Sequence, residues 1–238
     1  MKLLAVDTAT DLCSAALWID GEVRTREALA PRSHGALILP MVEELLGEAA
    51  LPLGALDAIA FGRGPGAFTG LRLAASVAQG LALAVHLPLI PVSDLRALAA
   101  QALAAPAASA VPPHRALVCQ DARMDEVYWA AFERTACARL DPVGPEAVAA
   151  PEAVALPPQW GGPQAPDPAG IVAAGSGFAA YPLLRARFAA VTGMMLAQLY
   201  PRAREVAALA AADGLECAVA PEAALPNYLR DRVTAPRP

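Results

Sequence analysis

Two stretches of this chain carry residue types that could do chemistry. The first is Asp7, which stops the short apolar run Leu3 to Val6 and is followed by Thr8-Ala9-Thr10. A carboxylate at the end of a buried strand can position a metal ion or an attacking water. Phosphotransferases that use one usually follow it with a glycine, so that a phosphate can approach the backbone. Ala9 stands in that place here, which favours a cap or turn role over catalysis. The second stretch is Gly62-Arg63-Gly64-Pro65-Gly66-Ala67-Phe68-Thr69-Gly70. Such a loop, set between a strand and a helix, could turn backbone N–H groups toward an anion, assisted by the helix dipole and by Arg63. It lacks the Gly-Lys-Ser/Thr ending of a phosphate loop and the spacing of a dinucleotide fingerprint. A structural turn, a phosphate contact and a partner contact all stay open. The candidate nucleotide or anion contacts are therefore Asp7, Thr8, Arg63, Gly64, Gly66 and Thr69.

Asp121, Arg123, Asp125 and Glu126 form a second charged group after a strand, read as a structural cluster of Asp121, Arg123 and Glu126 closed by ion pairing. Gly175-Ser176-Gly177-Phe178 resembles a remnant of an adenosine-binding turn. His34, His86 and His114 are scattered without metal-binding spacing, and no serine sits in a nucleophile elbow. No catalytic or metal-ligating set emerges. Cys13, Cys119, Cys137 and Cys217 are far apart, as expected of reduced, buried thiols.

The elements that must hold these residues follow from periodicity. Leu3–Val6, Ala15–Ile19 and Val23–Leu29 are expected strands, the last two joined at Asp20-Gly21. A helix is expected from Gly35 to Ala50, with Ser33 near its cap and Pro40 bending its second turn. A strand at Ala58–Phe61 leads through the glycine-rich loop to a helix from Leu71 to Val85, whose polar stripe is Arg72, Ser76 and Gln79. Ser93 should cap a helix from Asp94 to Leu103. The apolar stripe on the Gly35–Ala50 helix is wider than one sheet contact needs. It and the small-residue face of the next helix nominate an interface of Leu37, Ile38, Met41, Val42, Leu45, Leu71, Ala75, Ala78 and Ala82, against the plainer reading of helices sandwiched within one domain.

Ala104–Pro113 is rich in Pro and Ala and reads as a hinge, giving an N-terminal domain of 1–105, a C-terminal domain of 106–220 and a tail of 221–238. The second half opens with strands at Ala116–Cys119 and Val127–Phe132. Proline-dense Asp141–Pro168 reads as a surface excursion, Ile171–Ala174 as a strand and Arg202–Leu215 as a helix. No internal repeat is visible by residue identity, although both halves begin with a strand that runs to an Asp.

Composition narrows the function classes. The chain has 238 residues, 56% hydrophobic and 17% charged, with a mean hydropathy of +0.42. Alanine inflates that figure while burying little area per side chain. Leu71–Ile90, the most apolar stretch, is broken by Arg72, Gln79, His86 and Pro88, so no membrane association is expected and the chain is placed in the cytoplasm. Net charge is −5, and every basic residue but Lys2 is arginine, spread without a run. A protein that held nucleic acid alone would show a basic patch.

Several separate stretches resemble the TsaB (YeaZ) family of the bacterial machinery for threonylcarbamoyl-adenosine in transfer RNA. They are Leu4-Ala5-Val6-Asp7-Thr8-Ala9-Thr10, His34 with Leu39-Pro40, Gly62 through Arg72, Ala78-Gln79-Gly80-Leu81-Ala82, and Pro91-Val92-Ser93. Asp121-Ala122-Arg123 with Val127-Tyr128, and Pro226-Asn227-Tyr228-Leu229-Arg230, complete the set. The resemblance implies an α/β chain of the actin-like and Hsp70-like (ASKHA) kind, two RNase H-like domains with mixed sheets flanked by helices. It implies a non-catalytic scaffold or activator that docks on a TsaD-type catalytic subunit and self-associates as a homodimer when that partner is absent. A TsaE-type ATPase would join the same complex, and transfer RNA would be touched mainly through the partner. No tightly bound cofactor is implied, although ATP or ADP could sit at the joint with the partner. TsaD-type chains hold a metal partly with two histidines four residues apart, and the matching positions here are Asp94 and Leu98. Leucine cannot ligate a metal. Two rival readings are an autonomous actin-like ATP-dependent phosphotransferase and a glycoprotease-like metallopeptidase.

Overall fold

The computed structural model describes every residue except 107–111, 136, 138, 161–169 and 231–238. Parts of the expected hinge, of the Asp141–Pro168 excursion and of the tail thus lie outside the described residues. The chain divides into two units: Met1–Ala97 with Tyr200–Asn227 form the first, and the rest of the chain the second. The sequence boundaries at 105 and 220 differ from this division, because the segment around Arg202–Leu215 packs with the first unit. The expected Ala104–Pro113 hinge also lies beyond the point of division, which falls inside a helix.

In the first unit, β1 (Lys2–Asp7), β2 (Leu12–Ile19) and β3 (Glu22–Leu29) form an antiparallel meander. After α1 (His34–Glu48) come β4 (Ala58–Gly62), α2 (Phe68–Val85) and β5 (Leu89–Val92). Both later strands run parallel to β1, giving the order β3-β2-β1-β4-β5. Successive side chains on a strand alternate faces. Leu4, Val6, Cys13, Leu17, Ile59 and Phe61 therefore meet Ile38, Val42 and Leu45 of α1 and Ala75, Ala78 and Ala82 of α2 in one core. The opposite parity of β1, Leu3, Ala5 and Asp7, points to the other face.

That other face is where the division departs from the sequence reading. After α3 (Asp94–Ala104), which starts in the first unit, the chain leaves it and returns with α6 (Ala203–Asp213). This last helix packs across β1, β2, β4 and β5 with Ala203, Val206, Ala207 and Ala210 fully buried. The backbone N–H of Ala203 donates to the buried Ser14 Oγ at 2.9 Å. Arg96 of α3 forks onto Asp213 of α6 at 2.5 and 2.9 Å. Val219 then bridges to Leu89 and partly covers the edge of β5.

The second unit repeats the plan. β6 (Arg115–Arg123) and β7 (Glu126–Arg134) form a hairpin, and β8 (Leu140–Pro142) and β9 (Ala147–Ala149) both pair antiparallel with β7. β10 (Ile171–Ala174) runs parallel to β6. It is followed by α4 (Gly177–Ala180), α5 (Pro182–Ala189) and β11 (Met194–Leu196), which runs parallel to β10. The order β8-β7-β6-β10-β11 matches β3-β2-β1-β4-β5 strand for strand. The repeat invisible in residue identity is present in topology.

Several expectations change locally. The described part of Asp141–Pro168 is no loose excursion: it contributes β8 and β9 and buries Val154 and Trp160. Ser33 stands at the cap of α1 without a side-chain cap bond. Ser93 does cap α3, its Oγ accepting from Arg96 N at 3.1 Å. Cys13 and Cys119 are buried thiols, but Cys137 and Cys217 are exposed. α2 is long and apolar enough by length and composition to cross a membrane; in this fold its Leu71, Ala74, Ala75, Ala78 and Ala82 are buried.

Candidate functional site

The end of β1, the turn after β4 and the start of α3 meet in the first unit, and this is where Asp7 sits. Asp7 and Thr8 are fully buried. Asp7 Oδ1 accepts from Ala9 N at 2.9 Å, a local turn bond of the kind expected for a cap or turn role. Its Oδ2 and Asp94 Oδ1 both lie against Gly62, and burial pushes the Asp7 carboxyl above the usual carboxylate range. Asp94 is itself fully buried, and its Oδ2 accepts from the backbone N–H of Gly64.

The glycine-rich loop is closed by its own neighbours. Arg63 N donates to Val92 O at 2.8 Å and Ala67 N to Ala9 O at 2.7 Å. Thr8 Oγ1 donates to Gly70 O at 2.7 Å. A Cβ placed on Gly70 would lie 1.9 Å from Thr8 O, and one on Gly66 would lie 2.5 Å from Ala9 O. These glycines therefore let two backbones touch. The space a phosphate would need beside them is filled by carbonyl oxygens, which repel an anion. Gly64, at φ +104°, turns back against Asn227, whose N–H donates to Arg63 O at 2.7 Å. Among the six candidate contacts, Asp7, Thr8 and Gly64 are buried, Arg63 and Gly66 are half-buried, and only Thr69 is exposed. The glycines of this loop do not form a cradle for a nucleotide phosphate.

The interface candidates are also relocated. Ile38, Met41, Val42, Leu45, Leu71, Ala75, Ala78 and Ala82 all belong to the buried core, with Leu37 half-buried at its margin. The wide stripe on α1 exists because one side meets the sheet and another meets α2. Gln79 leaves the polar stripe as well, since its Nε2 donates to Pro221 O at 2.9 Å and to Ala224 O at 3.2 Å. What α1 and α2 expose is a different set: Leu39 at 44% and Leu83 at 52%, with Ser76 and Gly80 also exposed on α2.

In the second unit the structure gathers the charged cluster at the β6–β7 hairpin. Asp121 Oδ1 accepts from Arg123 N at 2.8 Å and from Tyr181 Oη at 3.1 Å, and Asp121 pairs with Arg123 at 3.3 Å. Burial and the Asp121 carboxylate push the Tyr181 hydroxyl up to about 12. Glu126 pairs with Arg230, which also donates to Arg123 O at 3.2 Å. The hairpin tip holds Arg123, Met124 and Asp125 all at positive φ, between 57° and 61°. Gly175 and Gly177 press on Cys119 O much as Gly66 and Gly70 press on Ala9 and Thr8, so Gly175–Phe178 is a packing turn. Sequence reasoning missed Asp94 and Arg230 as partners. A serine before Asp94 marks a helix cap and masks the second role, and nothing in sequence spacing links residue 230 to residue 126.

Two RNase H-like sheets flanked by helices, each with its first strand running to an Asp, define an α/β protein of the actin-like class. The family model described as TsaD: tRNA N6-adenosine threonylcarbamoyltransferase matches residues 27–235. The chain is 39% identical over 244 residues to the tRNA threonylcarbamoyladenosine biosynthesis protein TsaB of Escherichia coli, covering 98% of this chain and 96% of that one. It is 46% identical over 134 residues to the TsaB of Haemophilus influenzae, covering 56% of this chain and 55% of that one. A solved structure of YeaZ from Pseudomonas aeruginosa superposes with a TM-score of 0.80 at 40% identity, covering 96% of this chain and 99% of that one. The chain belongs to the TsaB (YeaZ) family.

Proposed function

We propose that this chain is a non-catalytic scaffold of the complex that places a threonylcarbamoyl group on the adenosine beside the anticodon of transfer RNA. The observation that carries this reading is the 39% identity to a TsaB protein along nearly the whole of both chains. It acts in the cytoplasm by docking on a TsaD-type catalytic subunit, alongside a TsaE-type ATPase, and pairs with itself when that subunit is absent. Transfer RNA is contacted mainly by the partner. A nucleotide at the joint between the two subunits is held by the partner's groups, because the glycine-rich loop of this chain is filled by its own backbone.

The docking surface in this proposal is the outer side of α1 and α2, led by Leu39 and Leu83. Two exposed leucines flanked by small residues suit close helix approach, and Gly80 offers open space, with no atom within 4 Å of an added Cβ. Reconstitution of the modification with and without the chain tests the role: activity should fall sharply when the chain is left out, and undiminished activity would remove it. Leu83→Glu and Gly80→Arg should abolish capture of the TsaD-type subunit while circular dichroism and the unfolding midpoint stay near wild type. Normal capture by both would move the interface elsewhere.

A further inference from the structure

We propose that Asp7 and Asp94 hold a single proton between their carboxyl groups, and that this proton latches the end of β1 and the Gly62–Gly64 turn to the start of α3. The inference does not rest on the proposed complex. Both residues are fully buried, and Asp7 Oδ2 and Asp94 Oδ1 converge on one spot beside Gly62. Two carboxylates have no hydrogen to share, so a bond between them requires one to be protonated. Both crowd Gly62: a Cβ there would lie 2.5 Å from Asp94 Oδ1 and 2.6 Å from Asp7 Oδ2. Glycine at the end of β4 is thus the residue that leaves room for the pair.

The outer oxygens are committed to backbone. Asp7 Oδ1 takes the Ala9 N–H and Asp94 Oδ2 takes the Gly64 N–H, so the pair joins three chain segments far apart in sequence. The charges that face Asp7 act in opposite directions. His34, at the start of α1, favours ionisation of Asp7, and Glu205 of α6 opposes it. Glu205 is held by Arg202 at 2.6 and 2.9 Å. Cys13 of β2 is a neutral neighbour, pushed up to about 11 by burial and by Asp7. Arg63 on the turn itself and Arg96 on the first turn of α3 are further charged residues of these segments, and Arg96 is forked onto Asp213. A pair carrying one proton has a net charge of −1, whereas losing it would put two negative charges side by side out of water.

A group whose pKa is raised by folding contributes stability that is full below its unfolded value and is lost as pH rises through the folded value. The unfolding midpoint of the full chain should therefore fall as pH rises above the usual carboxylate range. Asp94→Asn supplies the bridging hydrogen permanently as an amide N–H. It should fold, and its midpoint should lose that decline. Asp94→Ala removes the partner and should be less stable than Asp94→Asn throughout. Carbon-13 NMR of the side-chain carboxyls in the unmodified protein gives a direct reading independent of any variant. At neutral pH, where surface aspartates read as ionised, the Asp7 and Asp94 carbons should report one retained proton. Two fully ionised signals at neutral pH, or pH profiles of wild type and Asp94→Asn that superpose, would overturn the latch.

Discussion

Gly70 and Gly80 lie on the same helix with opposite surroundings. A side chain at 70 would drive into Thr8 O, whereas one at 80 meets open space. Gly70→Ala should cost about 3 kcal/mol through overpacking against backbone that cannot yield. Gly80→Ala should gain about 0.5–1 kcal/mol, because alanine loses less conformational freedom in a helix. Urea unfolding of the two variants checks both signs. The sequence places Gly70 at the end of the glycine-rich loop and Gly80 among the small residues of the helix that follows, and neither place says whether the residue is in contact. Which of them is a contact depends on the β1–β2 turn, more than sixty residues away, and no local pattern encodes that. Asp7 was legible as the residue that ends β1. Its partner Asp94 was hidden, because its position after Ser93 already had an adequate explanation in the helix cap.

At the scale of elements, hydrophobic periodicity found every element of the first sheet and its helices except β5, but of the second unit only β6, β7 and β10, leaving β8, β9, α4, α5 and β11 unread; a buried strand or an amphipathic helix leaves its mark in a few adjacent residues only when it is long enough. It could not say what covers a stripe. The α1 stripe faces both the sheet and α2 within one core, so its width reflects two internal contacts. The Asp141–Pro168 region failed differently. Its short strands β8 and β9 are too brief for periodicity, and one distant side chain secures the turn after them. Arg187 of α5 donates through Nη1 to Pro151 O at 2.8 Å and Glu152 O at 2.9 Å, and through Nη2 to Val154 O at 3.0 Å. Arg187→Ala should lower stability by about 1–2 kcal/mol and open the 151–160 segment to proteolysis. Arg187→Lys should not restore resistance, because an ammonium lacks the planar fork that reaches three carbonyls. Timed digestion followed by mass mapping would show the cleavage sites.

For the whole molecule, the charge is as telling as the fold. A net charge of −5 with no basic run gives the isolated chain little electrostatic hold on a polyanion. Its affinity for transfer RNA in a filter-binding assay at about 0.15 M salt should be weaker than about 100 µM. The complex with a TsaD-type subunit should bind far more tightly. Tight, salt-sensitive binding by the chain alone would assign it a direct RNA contact. The actin-like architecture was legible from the strand–Asp starts and the family motifs. The division into units was not, because a helix near residue 203 belongs to the sheet that begins at residue 2, and proximity in sequence assigns it to the wrong half.

That return of Tyr200–Asn227 to the first sheet bears on how the protein is made. A nascent chain emerges from the ribosome N-terminus first, and domains ordinarily fold as they emerge. Here β1 to β5 are synthesised first, yet α6, which covers one face of their sheet, and Val219, which pairs with the edge of β5, follow only after all the strands of the second unit. Until then Leu3 and Ala5 lack their cover. The second unit has most of its chain before the first is complete, so the order of completion during synthesis runs against the order of the sequence. A stop codon at residue 200 would therefore damage the beginning of the protein more than the middle.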